Sequence, residues 1–143
     1  MTESKVMYQT KAINTGGREG ESHLPDGSFS VKVSTPKKMG GPGQGSNPEQ
    51  LFALGYSACF HSALEVKMKE ANVEAKSEVA TEVTLNSDPT DNGFKLSVVM
   101  EVAIEGKSLE ETQKLADLAH DFCPYSKATR NNIDVEVKAV EFK

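Results

Sequence analysis

Two side chains in this sequence are thiols, Cys59 and Cys123, 64 positions apart. That spacing is neither a Cys-x-x-Cys redox motif nor a zinc-ligand spacing. The three histidines, His23, His61 and His120, form no ligand pair at helical spacing, which disfavours a metal. From composition alone Cys59 reads as a core residue, with a nucleophile as the other reading. A free cysteine is among the most buried residue types and often only packs, and the neighbours of Cys59 are apolar. As a nucleophile it must be a thiolate, and a buried apolar site raises a thiol pKa. A helix start at Asn47 is about 18 Å away at a rise of roughly 1.5 Å per residue, too far for its dipole to help. A fixed cation is then required. The chain has only two arginines, Arg18 and Arg130. Arg18 stands in Gly16-Gly17-Arg18-Glu19-Gly20, whose small residues allow close backbone approach, and arginine stays charged when buried. Taken alone it reads as a turn arginine in solvent. For Cys123 the packing reading is weaker, because Cys123-Pro124 stands at a helix break where the backbone opens.

The elements that must position these residues follow from pattern. Asn47-Pro48 starts a helix: asparagine suits the cap, proline the first helical position, and Gln50 completes a capping-box spacing. From Leu51 to Leu64 nearly every side chain is apolar or small, which predicts a helix buried on all sides. Polar character returns at Glu65, Lys67, Lys69 and Glu70. Before it, Val6 to Asn14 reads as a strand, a second strand runs to His23, and Phe29, Val31 and Val33 alternate as a half-buried strand. Pro36 to Ser46 reads as a loop. Its glycines have Walker spacing, but Ser46 and Asn47 stand where Lys and Ser/Thr are needed, so a connector is the better reading. Gly55-Tyr56-Ser57-Ala58-Cys59 is not a nucleophile elbow, lacking the second glycine. Val79 to Leu85 and Phe94 to Ile104 predict a hairpin. Ser108-Leu109-Glu110-Glu111 is a capping box. The helix it opens ends near Cys123, and a last strand covers Ile133 to Val140. Strands, helix, strands, helix, strand is an α+β order, in one domain spanning 1–143.

Sixteen basic against twenty-one acidic residues give a net charge of −5. No basic patch dominates, which argues against nucleic acid and anionic membrane as partners. No apolar signal segment opens the chain and no apolar run reaches spanning length. Two cysteines are not a disulfide scaffold, so a soluble cytoplasmic protein is expected.

Three blocks carry a resemblance: GGREG at 16–20, NPEQLFALGYSACF at 47–60 and CPYSKATRNNIDVEV at 123–137. Together, and in this order, they resemble the organic hydroperoxide resistance proteins, the Ohr branch of the OsmC/Ohr family. GGREG and CPYS point to that branch rather than to its osmotically inducible sister. The resemblance implies antiparallel sheets around a central buried helix, in an intertwined homodimer with its active sites at the subunit interface. It implies a thiol-dependent peroxidase acting on organic hydroperoxides. Cys59 would be the peroxidatic cysteine and Cys123 the resolving one. Arg18 would hold the Cys59 thiolate, and Glu49 would orient Arg18. No bound cofactor is implied; the reductant is a dihydrolipoyl group on a lipoylated partner protein. Lys127 and Asn131 depart from the family's Asn and Gly without touching the catalytic positions. On one straight helix Glu49 and Cys59 lie about 15 Å apart. Arg18 would therefore meet Glu49 across subunits or swing between the two.

Phe52, Leu54, Phe60, Met39 and Tyr125 are candidates to line an apolar pocket, which would favour alkyl, aryl or fatty-acid hydroperoxides over hydrogen peroxide. Tyr56 and Tyr125 read equally as donors near the sulfurs or as packing. His61 and His120 read as structural or surface residues, and Ser126 as a turn or capping residue. Two rival classes remain: a redox sensor whose disulfide never turns over, and a ligand-binding dimer whose cysteines only pack.

Overall fold

The first sheet is built from short strands and turn chemistry. The structure is a computed structural model and describes residues 3–143. Strands β1 (Ile13–Thr15), β2 (Gly20–His23) and β3 (Ser30–Val33) form an antiparallel meander in that order. Val31 and Val33 turn inward between exposed Ser30 and Lys32, as the alternation predicts. The strand expected from Val6 shrinks to three residues. Val6, Met7 and Tyr8 stay 85%, 90% and 83% exposed. A strand needs a hydrogen-bonding neighbour, and this sheet supplies one only from Ile13 onward. The glycine-rich connector holds a single 3-10 turn, Lys37–Met39. It returns to the meander at Ser46, whose backbone N–H donates to the Lys32 carbonyl and whose carbonyl accepts from Ser34.

The chain divides into two compact units at the start of the long helix, one up to Pro48 and one from Glu49 to Lys143. The second holds α1 (Pro48–Glu70) from its second residue onward, β4 (Ser77–Asp88), β5 (Gly93–Ile104), α2 (Leu109–Phe122), α3 (Pro124–Thr129) and β6 (Val135–Ala139). The expected hairpin is β4–β5, in register from Ser77 opposite Ile104 to Asp88 opposite Gly93. One pair departs from the antiparallel pattern: β6 lies parallel to β5. The chain passes through α2 and α3 between them, and that crossover brings β6 in along the direction of β5.

Tyr56, Phe60, Ala63, Leu64 and Met68 of α1 pack with Val98, Met100, Val102 and Ile104 of β5 and with Leu115, Ala116 and Ala119 of α2. Burial of α1 on all sides does not hold in the single chain. Leu54 is 65% exposed, and Ala58 and Ser62 share its face. One sheet and one helix cover only part of a helix surface. A segment apolar all round gives no signal of which part that is.

The capping box of α2 forms as read: the Glu111 N–H donates to the Ser108 hydroxyl at 3.1 Å, and the Glu111 carboxylate accepts from the Ser108 N–H. Ser108→Ala is expected to lower stability by about 1 kcal/mol, seen as a shifted urea midpoint with unchanged slope. Among the described residues no helix is long and apolar enough to cross a membrane.

Candidate functional site

α2 ends where Pro124 forces it to end. Cys123 is at once the C-cap of α2 and the N-cap of α3, with φ −65° and ψ 127°. Its extended backbone turns the chain, and Pro124 opens α3, where a missing N–H costs nothing. The turn aims the Cys123 side chain inward, to 0% exposure. Cys59 lies in the middle of α1 and is half-buried. The two sulfurs stand 3.6 Å apart, with the Cys123 thiol donating to Cys59. Both cysteines are free thiols.

Burial pushes the Cys59 thiol above its ordinary value. A hydrogen bond from the Tyr125 backbone N–H pulls it down, and the neighbouring Cys123 pushes it up again. The surroundings of Cys59 within this unit therefore do not make a thiolate at neutral pH.

Aromatic side chains gather beside the thiols. Phe52 meets Tyr56 edge-on with ring centroids 5.8 Å apart, and Tyr125 lies 5.5 Å from Tyr56 and 6.2 Å from Phe52. Gly55, one turn before Cys59, admits the Tyr125 ring. A Cβ there would come within 2.7 Å of the Tyr125 hydroxyl oxygen. The other expected pocket residues are dispersed. Phe60 is fully buried in the core, with its ring 6.4 Å from that of His120. Leu54 faces the opposite side of α1. There it lines a cleft of about 350 Å³ with Gln50, Ala53, Ser57, Val79 and Thr81. Met39 belongs to the first unit and is 44% exposed.

Arg18 is carried on the β1–β2 turn. Gly16 takes φ +84° and Gly17 φ +62°. A Cβ on Gly20 would stand 1.8 Å from the Thr15 carbonyl, so only glycine closes this hairpin. The Asn14 side chain accepts from the Gly17 N–H and donates to the Gly17 carbonyl. Glu19 accepts from the Thr35 N–H at 2.7 Å, and hydrogen bonds from the Thr35 side chain and then its backbone hold its carboxyl below the usual range. The tip presenting Arg18 is thus tied on both sides. Arg18 itself is half-buried. Glu49 is the second residue of α1, in the first turn, and the same unbroken helix carries Cys59.

Beside the thiols lies a polar cluster of Tyr56, which the sequence leaves open between donor and packing, with His120 and Ser126, which it reads as structural. The Ser126 hydroxyl is 2.8 Å from the Tyr56 hydroxyl and 2.7 Å from His120 Nδ1. Tyr56 is also 3.2 Å from Thr129 Oγ1. Burial, then the Arg130 charge, lowers the pKa of His120. A signal for this cluster was in the spacing. Tyr56 precedes Cys59 by three residues, His120 precedes Cys123 by three, and Ser126 follows it by three, each close to one helical turn. His61 bonds instead to Ser77 of β4, at 2.7 Å.

The chain matches the family described as OsmC-like protein over residues 41–138. It is 48% identical over 133 residues to the organic hydroperoxide resistance protein-like 2 of Staphylococcus epidermidis, covering 92% of this chain and 94% of that one. The crystal structure of the organic hydroperoxide resistance protein OhrB of Bacillus subtilis superposes with a TM-score of 0.86 at 42% identity, covering 94% of this chain and all of that one. An organic hydroperoxide resistance protein from Elizabethkingia anophelis gives 0.90 at 39% identity, covering 97% and 100%. By fold, by sequence and by these relatives, the chain belongs to the OsmC-like family, in its organic hydroperoxide resistance branch.

Proposed function

We propose that this protein is a thiol-dependent peroxidase that reduces organic hydroperoxides to alcohols. The observation that carries the reading is the pair of free thiols with sulfurs 3.6 Å apart. A disulfide needs about 2.05 Å between sulfurs, so a shift of about 1.5 Å closes it. The Cys59 thiolate attacks the peroxide oxygen remote from the organic group. The O–O bond breaks, Cys59 becomes a sulfenic acid, and the alkoxide leaves and takes a proton as the alcohol. Cys123 then condenses with the sulfenic acid, forming the disulfide and releasing water. A dithiol of the dihydrolipoyl class, carried on a lipoylated protein, resets the pair by exchange.

Arg18 supplies the cation that Cys59 lacks within its own unit, holding the thiolate and the peroxide oxygens, and Glu49 orients it. Phe52 and Tyr125, whose rings lie 6.2 Å apart, take the apolar part of the substrate. That favours alkyl, aryl and fatty-acid hydroperoxides over hydrogen peroxide, which buries nothing apolar. The working form is a cytoplasmic homodimer. Exposed Leu54 and the exposed Val6-Met7-Tyr8 segment are the apolar surfaces a second copy covers.

The test is consumption of an organic hydroperoxide and of hydrogen peroxide by purified protein with dihydrolipoamide. Faster turnover of the organic substrate supports the reading. No turnover with any dithiol overturns it and leaves a sensor or a binding protein. Arg18→Ala is expected to slow the first oxidation by about 10²–10³-fold. The sign in pH is fixed. Burial already raises the Cys59 thiol, and removing a cation raises it further, so less thiolate is present at neutral pH. The pH–rate profile of Arg18→Ala therefore shifts to higher pH, and its rate recovers as pH rises. An unshifted profile would remove Arg18 from this role.

A further inference from the structure

We propose that Ser126 is the pivot of a hydrogen-bonded latch, with Tyr56 on α1 and His120 on α2, that holds Cys123 against Cys59 and sets how fast the two sulfurs join. The inference rests on the peroxidase reading and deepens its second step.

α3 has six residues, too few to be stable as a helix alone. It follows α2 through Cys123, whose extended backbone breaks the run of helical hydrogen bonds between the two helices. What fixes α3 is side-chain anchoring. Ser126 Oγ lies 2.8 Å from the Tyr56 hydroxyl and 2.7 Å from His120 Nδ1. One hydroxyl has one proton to give and two lone pairs, so it serves both neighbours at once. Thr129 Oγ1 adds a bond to Tyr56 at 3.2 Å and donates to the Ser126 carbonyl at 3.2 Å. The Arg130 guanidinium donates to the His120 carbonyl at 2.7 Å, tying the end of α3 back to α2.

The anchors are matched to the thiols. Tyr56 stands one turn before Cys59 on α1, His120 one turn before Cys123 on α2, and Ser126 one turn after Cys123 on α3. A single hydroxyl thus sets the registry of the helices that carry the two sulfurs. Tyr56 and Ser126 are 0% exposed and Thr129 is 5% exposed. Bonds made there are strong, and an unpaired hydroxyl is costly, so the cluster holds one arrangement. The need for tight positioning follows from the step itself. The sulfenic S–O bond breaks, the S–S bond forms, and the oxygen leaves with the Cys123 proton as water. A misplacement of about 1 Å costs on the order of 10²-fold in such a reaction. The competing fate of the sulfenic acid is a second oxidation to sulfinic acid. The latch therefore protects Cys59 by shortening the life of its sulfenic acid. These are positioning residues, acting through Cys123.

The experiment is a competition. Reduced protein is treated with excess aryl hydroperoxide and no dithiol, and mass spectrometry measures the ratio of Cys59–Cys123 disulfide to Cys59 sulfinic acid. Wild type is run beside Ser126→Ala, Tyr56→Phe, His120→Ala, His120→Asn and the Tyr56→Phe/Ser126→Ala double variant. Tyr56→Phe removes one oxygen and keeps the buried ring, so it remains testable if the others fail to fold. Removing the Ser126, Tyr56 or His120 partner is expected to lower the ratio about tenfold, the scale of one buried hydrogen bond. The double variant is expected to be no worse than the worse single one, as for members of one network. His120→Asn, which keeps a hydrogen-bonding group near the Nδ1 position, is expected to recover much of the loss. Ratios within twofold of wild type in every folded variant overturn the latch alone. A wild type that forms no disulfide overturns the peroxidase reading and the latch with it.

Discussion

Cys59→Ser is expected to abolish hydroperoxide consumption, a loss of more than about 10³-fold with any dithiol supplied. The reaction needs an ionised, polarisable nucleophile that can accept an oxygen atom. A serine hydroxyl in the same place is neutral at pH 7 and forms no counterpart of a sulfenic acid. The substitution is nearly isosteric at a half-buried site. Fold and stability should therefore remain close to wild type, and lost activity reports chemistry. The measurement is peroxide remaining against time, with unfolding midpoints recorded alongside. Turnover within tenfold of wild type would place the reacting group elsewhere and return Cys59 to packing.

Cys123→Ser separates the two halves of the cycle. Sustained turnover with a dihydrolipoyl dithiol should fall by about 10²-fold or more, because no internal thiol follows the sulfenic acid. One peroxide per chain should still be consumed. Cys59 should then carry one added oxygen and, with further peroxide, two. Intact-mass spectrometry after one and after many equivalents distinguishes these states. If Cys123→Ser turns over as fast as wild type, the external dithiol reduces the sulfenic acid directly. The 3.6 Å contact between the sulfurs is then not part of the working cycle. Burial is the main cause that raises the Cys59 pKa and the neighbouring Cys123 adds to it, so the variant also reports how far that contact affects the first step.

Much of this molecule can be read from residue order alone. Asn47-Pro48 place the start of α1, and the largely apolar stretch from Leu51 to Leu64 marks the part of it that meets the core. Ser108 and Glu111 place the start of α2, and Pro124 places its end, because caps and proline act within one turn of the chain. The alternation of Val79, Thr81 and Val83 places one face of β4. The three sequence blocks identify the family. Other features depend on which surfaces meet. Leu51 to Leu64 offers no polar stripe, so only packing against β5 and α2 decides that Phe60 and Leu64 are buried while Leu54 is exposed. Val6 to Tyr8 has strand chemistry but forms no strand, because a strand is a property of a pair. The parallel docking of β6 on β5 follows from the path of α2 and α3 and leaves no local mark. The same holds at the site. That Cys59 and Cys123 are the chain's two thiols was visible in the sequence, but their 3.6 Å separation and the meeting of Tyr56 and His120 at Ser126 were not. Local rules determine where helices begin and end. Contacts between residues more than sixty positions apart are decided only when the hydrophobic core brings α1, α2 and α3 together.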